Sequence, residues 1–154
     1  MSDIQGGNLI VSAIQNGTVI DHIPSNRLFE VISILRLETI ATQVTFCSNL
    51  GSKTLGKKAI IKISDKFFKQ DEINKIAILV PQAKLNIIRD YKVVEKKMVT
   101  LPDEITGITK CFNPMCITNH QPITQRFKVV ANNPTTLQCF YCERTTDEGN
   151  FNLL

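Results

Sequence analysis

Along the first hundred residues, apolar positions change period in an ordered way. The β-branched run Leu9-Ile-Val-Ser-Ala-Ile14 predicts a strand, ended by the turn signal Asn16-Gly17. After Pro24, Ser25 is an N-cap candidate, and Leu28, Phe29, Ile32 and Leu35 recur at helical spacing. Val31 and Ile34 widen that stripe, as expected for a helix lying on a sheet. Thr42–Leu50 and Gly56–Ser64 predict two strands of a hairpin around Gly51-Ser52-Lys53. A second helix opens at Asp71 and Glu72, whose charges suit its dipole. Its stripe is Ile73, Ile76, Ala77 and Val80, and Pro81 stops it. Ala83–Arg89 and Tyr91–Met98, joined tightly at Asp90, predict two further strands. The order β-α-β-β-α-β-β is a ferredoxin-like split βαβ with one added edge strand.

Beyond Met98 the pattern breaks. The stretch Met98–Ile105, with Leu101-Pro102-Asp103, reads as a linker, dividing the chain into domains 1–100 and 101–154. Strand-like pieces in the second domain are short: Phe127–Ala131 and Leu137–Phe140, with turns at Asn113-Pro114 and Asn132-Asn133-Pro134. A segment of that size cannot be held by its apolar core alone and needs a staple. The predicted class is α+β: a ferredoxin-like antiparallel sheet with two helices, plus a small all-β zinc-binding domain of rubredoxin or zinc-ribbon type.

The cysteines supply the staple. Cys111 and Cys116 are separated by four residues, Cys139 and Cys142 by two, and 22 residues lie between the pairs. Two short pairs across such a loop are the pattern of a tetrahedral structural zinc site. Four soft thiolates leave no open coordination position for an activated water, so the metal is expected to fold the domain, not to catalyse. An iron site uses the same donors, but rubredoxin-type carriers have Cys-x-x-Cys in both pairs, which favours zinc here. Disulfides need an oxidising compartment. Residues 1–7 have no basic segment leading into an apolar stretch, so a secretory signal is not expected. No apolar run approaches bilayer length. A cytoplasmic protein with no membrane partner follows as the expectation. Cys47, on an alternating strand, reads as a small buried hydrophobe.

Charge then separates the halves. Residues 1–100 carry 14 Lys/Arg against 9 Asp/Glu, and residues 101–154 carry 4 against 5. The first half is the candidate for phosphate-bearing ligands. A nucleic-acid-binding zinc ribbon would need a basic second half, so no nucleic acid partner is expected. No Ser/His/Asp order, paired-carboxylate motif or glycine-rich phosphate loop suggests an enzyme.

Read together, Gly17-Thr-Val-Ile-Asp-His-Ile-Pro24, Gly56-Lys-Lys-Ala-Ile-Ile-Lys-Ile63, Pro81-Gln-Ala-Lys-Leu-Asn-Ile-Ile88, Leu101-Pro-Asp-Glu-Ile105 and the four cysteines resemble the regulatory chains of aspartate carbamoyltransferase, from about Leu9 to Cys142. The loop Cys111-Phe-Asn-Pro-Met-Cys116 departs from that family's frequent Cys-Pro-Asn-x-x-Cys. The resemblance implies a non-catalytic subunit of pyrimidine biosynthesis with an N-terminal nucleotide-effector domain and a C-terminal zinc domain docking on the catalytic chain. It implies one structural Zn2+ on Cys111, Cys116, Cys139 and Cys142. The implied effectors are ATP, CTP and UTP. Ala13, Ile14, Val19, Asp21 and His22 would then meet base and ribose. Lys58, Lys62 and Lys96 would meet ribose and phosphates, and Asn86, Ile88, Tyr91 and Val93 would line the base pocket. A homodimer of this chain, within an assembly of six catalytic and six regulatory chains, is the implied partnership.

Overall fold

The computed structural model describes residues 13–132 and 134–153. The chain divides into two compact units, 1–100 and 101–154. In the first, β1 (Gly17–Pro24), α1 (Leu28–Ile34), β2 (Val44–Ser52), β3 (Gly56–Ser64), α2 (Gln70–Leu79), β4 (Lys84–Arg89) and β5 (Lys92–Met98) follow in the order the pattern predicts. The strands lie in the order β2-β3-β1-β4-β5, every neighbouring pair antiparallel.

The first described strand lies where the pattern predicted none. Most of Leu9–Ile14 lies outside the described residues, and Ala13 and Ile14 are not in a strand. The central strand is Gly17–Pro24, buried at Val19, Ile20 and Ile23. Asn16-Gly17 therefore launches β1 instead of ending it. Gly17 sits at φ 143°, and a Cβ there would run into the carbonyl oxygen of Ile63 on β3. Only glycine lets the strands close there. Gly17→Ala is expected to cost about 3 kcal/mol, read as a lower urea midpoint for the first unit; an unchanged midpoint would mean this close approach is wrong.

The helices begin differently from expectation. Ser25 caps nothing: it lies in a 3-10 turn, and its Oγ accepts the Asn49 N–H at 3.1 Å. Leu28, Val31 and Leu35 are buried, but Phe29 is 69% exposed and packs edge-on with Phe46 on β2. In α2, the Glu72 carboxylate accepts the Lys69 backbone N–H at 3.1 Å and takes the Lys66 ammonium at 3.3 Å. That closes the first turn with negative charge at the positive end of the dipole. Ile76, Ala77 and Val80 are buried, and Pro81 follows the helix. Ile73 of α2 shares a cavity wall with Thr18, Leu85 and Ile87, so the helices cover the face bearing Ile20, Ile61 and Leu85. The β4–β5 loop is Asp90-Tyr91, both at positive φ (51° and 65°), the backbone of a type I′ hairpin turn.

The second unit is all β. β6 (Glu104–Thr106), β7 (Thr109–Lys110), β8 (Arg126–Asn132), β9 (Thr135–Cys139), β10 (Thr145–Asp147) and β11 (Asn152–Leu153) form a sheet ordered β10-β9-β8-β6 and a β11-β7 ribbon. Part of the predicted linker is thus strand: β6 buries Ile105 and pairs with β8. Ile105, Ile108, Phe127 and Leu137 are its buried aliphatic and aromatic residues among those described, a small core for some fifty residues. No helix among the described residues is long and apolar enough to cross a membrane.

Candidate functional site

Pairing of the five strands sets one continuous row across the first sheet: Thr45, Lys62, Val19, Asn86 and Lys96. Side chains in one such row share a face. The row lies opposite the helix-covered face, since its neighbours Phe46, Ile61, Ile20 and Leu85 point the other way. Lys62 and Lys96 stand three strand spacings apart, about 14 Å. That distance keeps the two ammonium groups from touching but lets both reach toward one extended anion.

The apolar end of this face is a cluster of Ile14, Val19 and Ile88, with Ile60 and Val93 packed against it. Backbone bonds fix its surround: the Tyr91 N–H donates to the Gln15 carbonyl at 2.9 Å, the Asp65 N–H to the Asn16 carbonyl at 2.9 Å, and the Asp90 N–H to Asn16 Oδ1 at 3.2 Å. Tyr91 itself is 64% exposed on the rim, and Ala13 is also exposed.

The polar end is shaped by a β-bulge. The β1–β3 register shifts between Ile20 and Ile23, and His22 takes φ 59°. Such a bulge re-aims side chains. Here Asp21 Oδ1 accepts the His22 backbone N–H at 2.6 Å and the Lys58 ammonium at 3.0 Å. His22 Nδ1 lies 3.5 Å from the same oxygen without a hydrogen bond to it, and is a buried ring nitrogen with no hydrogen-bond partner among the described residues. Lys62 is only 2% exposed, and burial pulls its pKa below the ordinary lysine value. Sequence reasoning placed this lysine on an alternating strand and did not foresee its burial.

The sequence-derived set therefore gathers on one face, from the Ile14–Val93 cluster through Asn86 and Lys96 to the Asp21–Lys58 pair. Lys84 was missed. It pairs with Asp21 across β1–β4 and shares the parity of Asn86 and Ile88, which is the signal that places it on this face. Cys47 pairs with Ile60 and is half-buried, not fully buried as expected, because β2 is an edge strand.

In the second unit, Cys111 and Cys116 bound the loop after β7, and Cys139 and Cys142 bound the turn between β9 and β10. All four Sγ atoms lie within 4.8 Å of one another, with Cys111–Cys142 at 3.6 Å and Cys116–Cys139 at 3.7 Å. A tetrahedral ion with metal–sulfur bonds of about 2.3 Å needs sulfur–sulfur edges of about 3.8 Å, so the donors fit. Burial pushes the Cys111 and Cys139 thiols up. Burial also works to raise Cys142. Donation from the Arg144 backbone and the Asn113 side chain, with the neighbouring Cys111 and Cys139 thiols, outweighs it and brings Cys142 down to about 7. A metal ion favours the thiolates and displaces their protons.

Three further groups brace the cluster, and no periodicity marked them. Thr118 Oγ1 lies 3.1 Å from Cys116 Sγ. Gln125 Oε1 accepts the Cys111 N–H at 3.1 Å. The Asn119 amide donates to the carbonyls of Cys111 and Asn113 at 3.1 and 2.7 Å.

Comparison with known proteins matches residues 9–100 to the aspartate carbamoyltransferase regulatory chain, allosteric domain, and residues 103–152 to the metal binding domain of the same chain. The chain belongs to the aspartate carbamoyltransferase regulatory chain family. Similar regulatory chains include one from Bacteroides fragilis, 56% identical over 136 residues (88% of this chain and 89% of the relative). Another, from Parabacteroides distasonis, is 53% identical over 144 residues (94% of each). A third, from Pyrococcus abyssi, is 50% identical over 142 residues (91% and 93%). These relatives are regulatory chains, and this regulatory chain is likewise a non-catalytic subunit with an allosteric domain and a four-cysteine metal-binding domain.

Proposed function

We propose that this regulatory chain binds ATP, CTP and UTP in competition on the sheet face from Ile14 to Lys96, and transmits their occupancy to the aspartate carbamoyltransferase catalytic chain. The supporting observation is that face itself: it carries an apolar cluster, an orphaned buried His22 nitrogen, a carboxylate, and lysines spread along one row. An unpartnered buried polar atom calls for an explanation, and a ligand amine or hydroxyl provides one. Each nucleotide can shift the assembly only by its differential affinity for two quaternary states, typically about 1–3 kcal/mol.

In the same reading, Cys111, Cys116, Cys139 and Cys142 hold one structural zinc ion, which would fix the two loops and supply no reaction chemistry. Around those loops Phe112, Met115, Ile117, Phe140 and Tyr141 are exposed, Met115 at 81%. Such apolar exposure on a small unit suits a docking surface, and the catalytic chain is its proposed occupant. Regulatory chains pairing as homodimers, joined to two catalytic trimers in a six-plus-six cytoplasmic assembly, complete the reading.

Co-expression with the catalytic chain of the same genome tests both halves. The pair is expected to co-elute as one large species that binds nucleotide. Met115→Ser combined with Phe112→Ser should release the catalytic trimer while nucleotide titration of the regulatory chain stays unchanged. Co-elution undisturbed by the double substitution would overturn the docking assignment; absence of nucleotide binding would overturn the effector assignment.

A further inference from the structure

Lys58 has the right position for a phosphate ligand, but its ammonium is engaged. It lies 3.0 Å from Asp21 Oδ1, with both side chains about four-fifths buried, and Asp21 also takes the His22 N–H at 2.6 Å. Drawing Lys58 onto a phosphate would strip that carboxylate of its cation inside a half-buried bulge. The carboxylate would then repel the incoming anion.

Lys84 stands on the other side of the same carboxylate. The β1–β4 register sets it directly across from Asp21, one strand spacing or about 4.8 Å away. It is two residues from Asn86, which sits in the row between Lys62 and Lys96. Two residues along a strand is about 6.8 Å, within the reach of a lysine side chain. Lys84 is exposed, and its β5 partner, Met98, is uncharged.

We infer that Lys84, and not Lys58, is the cation that meets the phosphate chain of a bound nucleotide beside Lys96, while Lys58 is a positioning residue that holds Asp21 toward the sugar or base. The inference rests on the effector reading of this face and assigns the work within it. Lys84 acts at long range on charge, so its contribution scales with ligand charge and fades with salt. Lys58 and Asp21 act together as a neutral pair, so the pair's contribution is the same for every phosphate count.

The test is calorimetric titration of the full-length chain with ATP and AMP at low and high salt. Lys84→Gln is expected to weaken ATP about three- to fivefold at low salt, leave AMP nearly unchanged, and lose most of that difference at high salt. Lys58→Gln combined with Asp21→Asn, which removes both charges of the pair, is expected to weaken ATP and AMP by one common factor. Lys97→Gln, on the same sheet but paired with Leu85 on the helix-covered face, controls for net charge and should alter neither. If Lys84→Gln leaves the ATP-to-AMP ratio as in the parent chain, or if the Lys58→Gln, Asp21→Asn double variant is the one that changes it, the assignment of Lys84 is overturned and the effector reading survives. Failure of the parent chain to bind either nucleotide overturns both.

Discussion

Stripping the metal from the second unit is expected to unfold residues 101–154 while the first sheet stays folded. Binding of a structural zinc contributes on the order of 10 kcal/mol to folding in tetrathiolate and related sites. The unit's buried core of Ile105, Ile108, Phe127 and Leu137 offers little to replace it. Without the ion, four sulfurs within 4.8 Å of one another carry competing demands. Two are pushed up by burial toward the neutral thiol. Cys139→Ser, or treatment with a thiol-reactive mercurial, should therefore release one zinc per chain. Amide signals of Ile105 and Leu137 should collapse to unfolded positions, while those of Ile20 and Ile61 hold. The catalytic chain should separate and remain active. Persistent protection of the Ile105 and Leu137 amides after complete metal loss would refute a folding role for the ion.

Replacing Lys62 with methionine is expected to separate stability from binding. Methionine matches the lysine stem in volume, so packing along the stem is kept, but the group that the buried ammonium engages loses its partner. Unliganded Lys62→Met should therefore stay folded and melt below the parent. Its nucleotide affinity should fall by about ten- to a hundredfold, the scale of a hydrogen bond to a charged group. The pH dependence has a definite sign. In the unliganded chain the Lys62 pKa lies below the ordinary value, 10.5, so the folded form sheds its proton before the unfolded form does. Between those two values the unfolded chain holds more protons, and the stability contribution of this group rises with pH. A phosphate at the site favours the ammonium, so binding takes up a proton and affinity declines as pH climbs through the depressed pKa. The methionine variant should lose that alkaline limb. A large drop in its melting temperature with unchanged affinity would make Lys62 a core residue with no part in binding.

Much of this was legible from residue order, for reasons that particular elements make clear. β3 was predicted with the bounds it has, Gly56–Ser64, because glycine and serine punctuate a β-branched run. The cysteine pairs were readable because their spacing encodes the two loops directly. Gly17–Pro24 was missed as a strand because it carries Asp21 and His22 at a bulge and looks less like a central strand than the apolar run before it. Asn16-Gly17 was recognised as a turn, but its side could be fixed only by the close approach of Ile63. Burial of Lys62 is a tertiary fact that its local sequence, Ile-Lys-Ile, does not carry. Strands of two or three residues, such as β6, β7 and β11, are shorter than any period can register. Thr118 and Gln125 serve the cluster through single contacts, which leave no pattern.

The β11–β7 ribbon has a practical corollary. Thr109 Oγ1 donates to the Asn152 carbonyl at 3.1 Å, and β7 ends immediately before Cys111. A purification handle or surface tether fused after residue 150 would hang from a strand whose mate adjoins a sulfur donor. Tension or crowding there would be felt as strain on the loop, so immobilised versions of the chain are better anchored elsewhere.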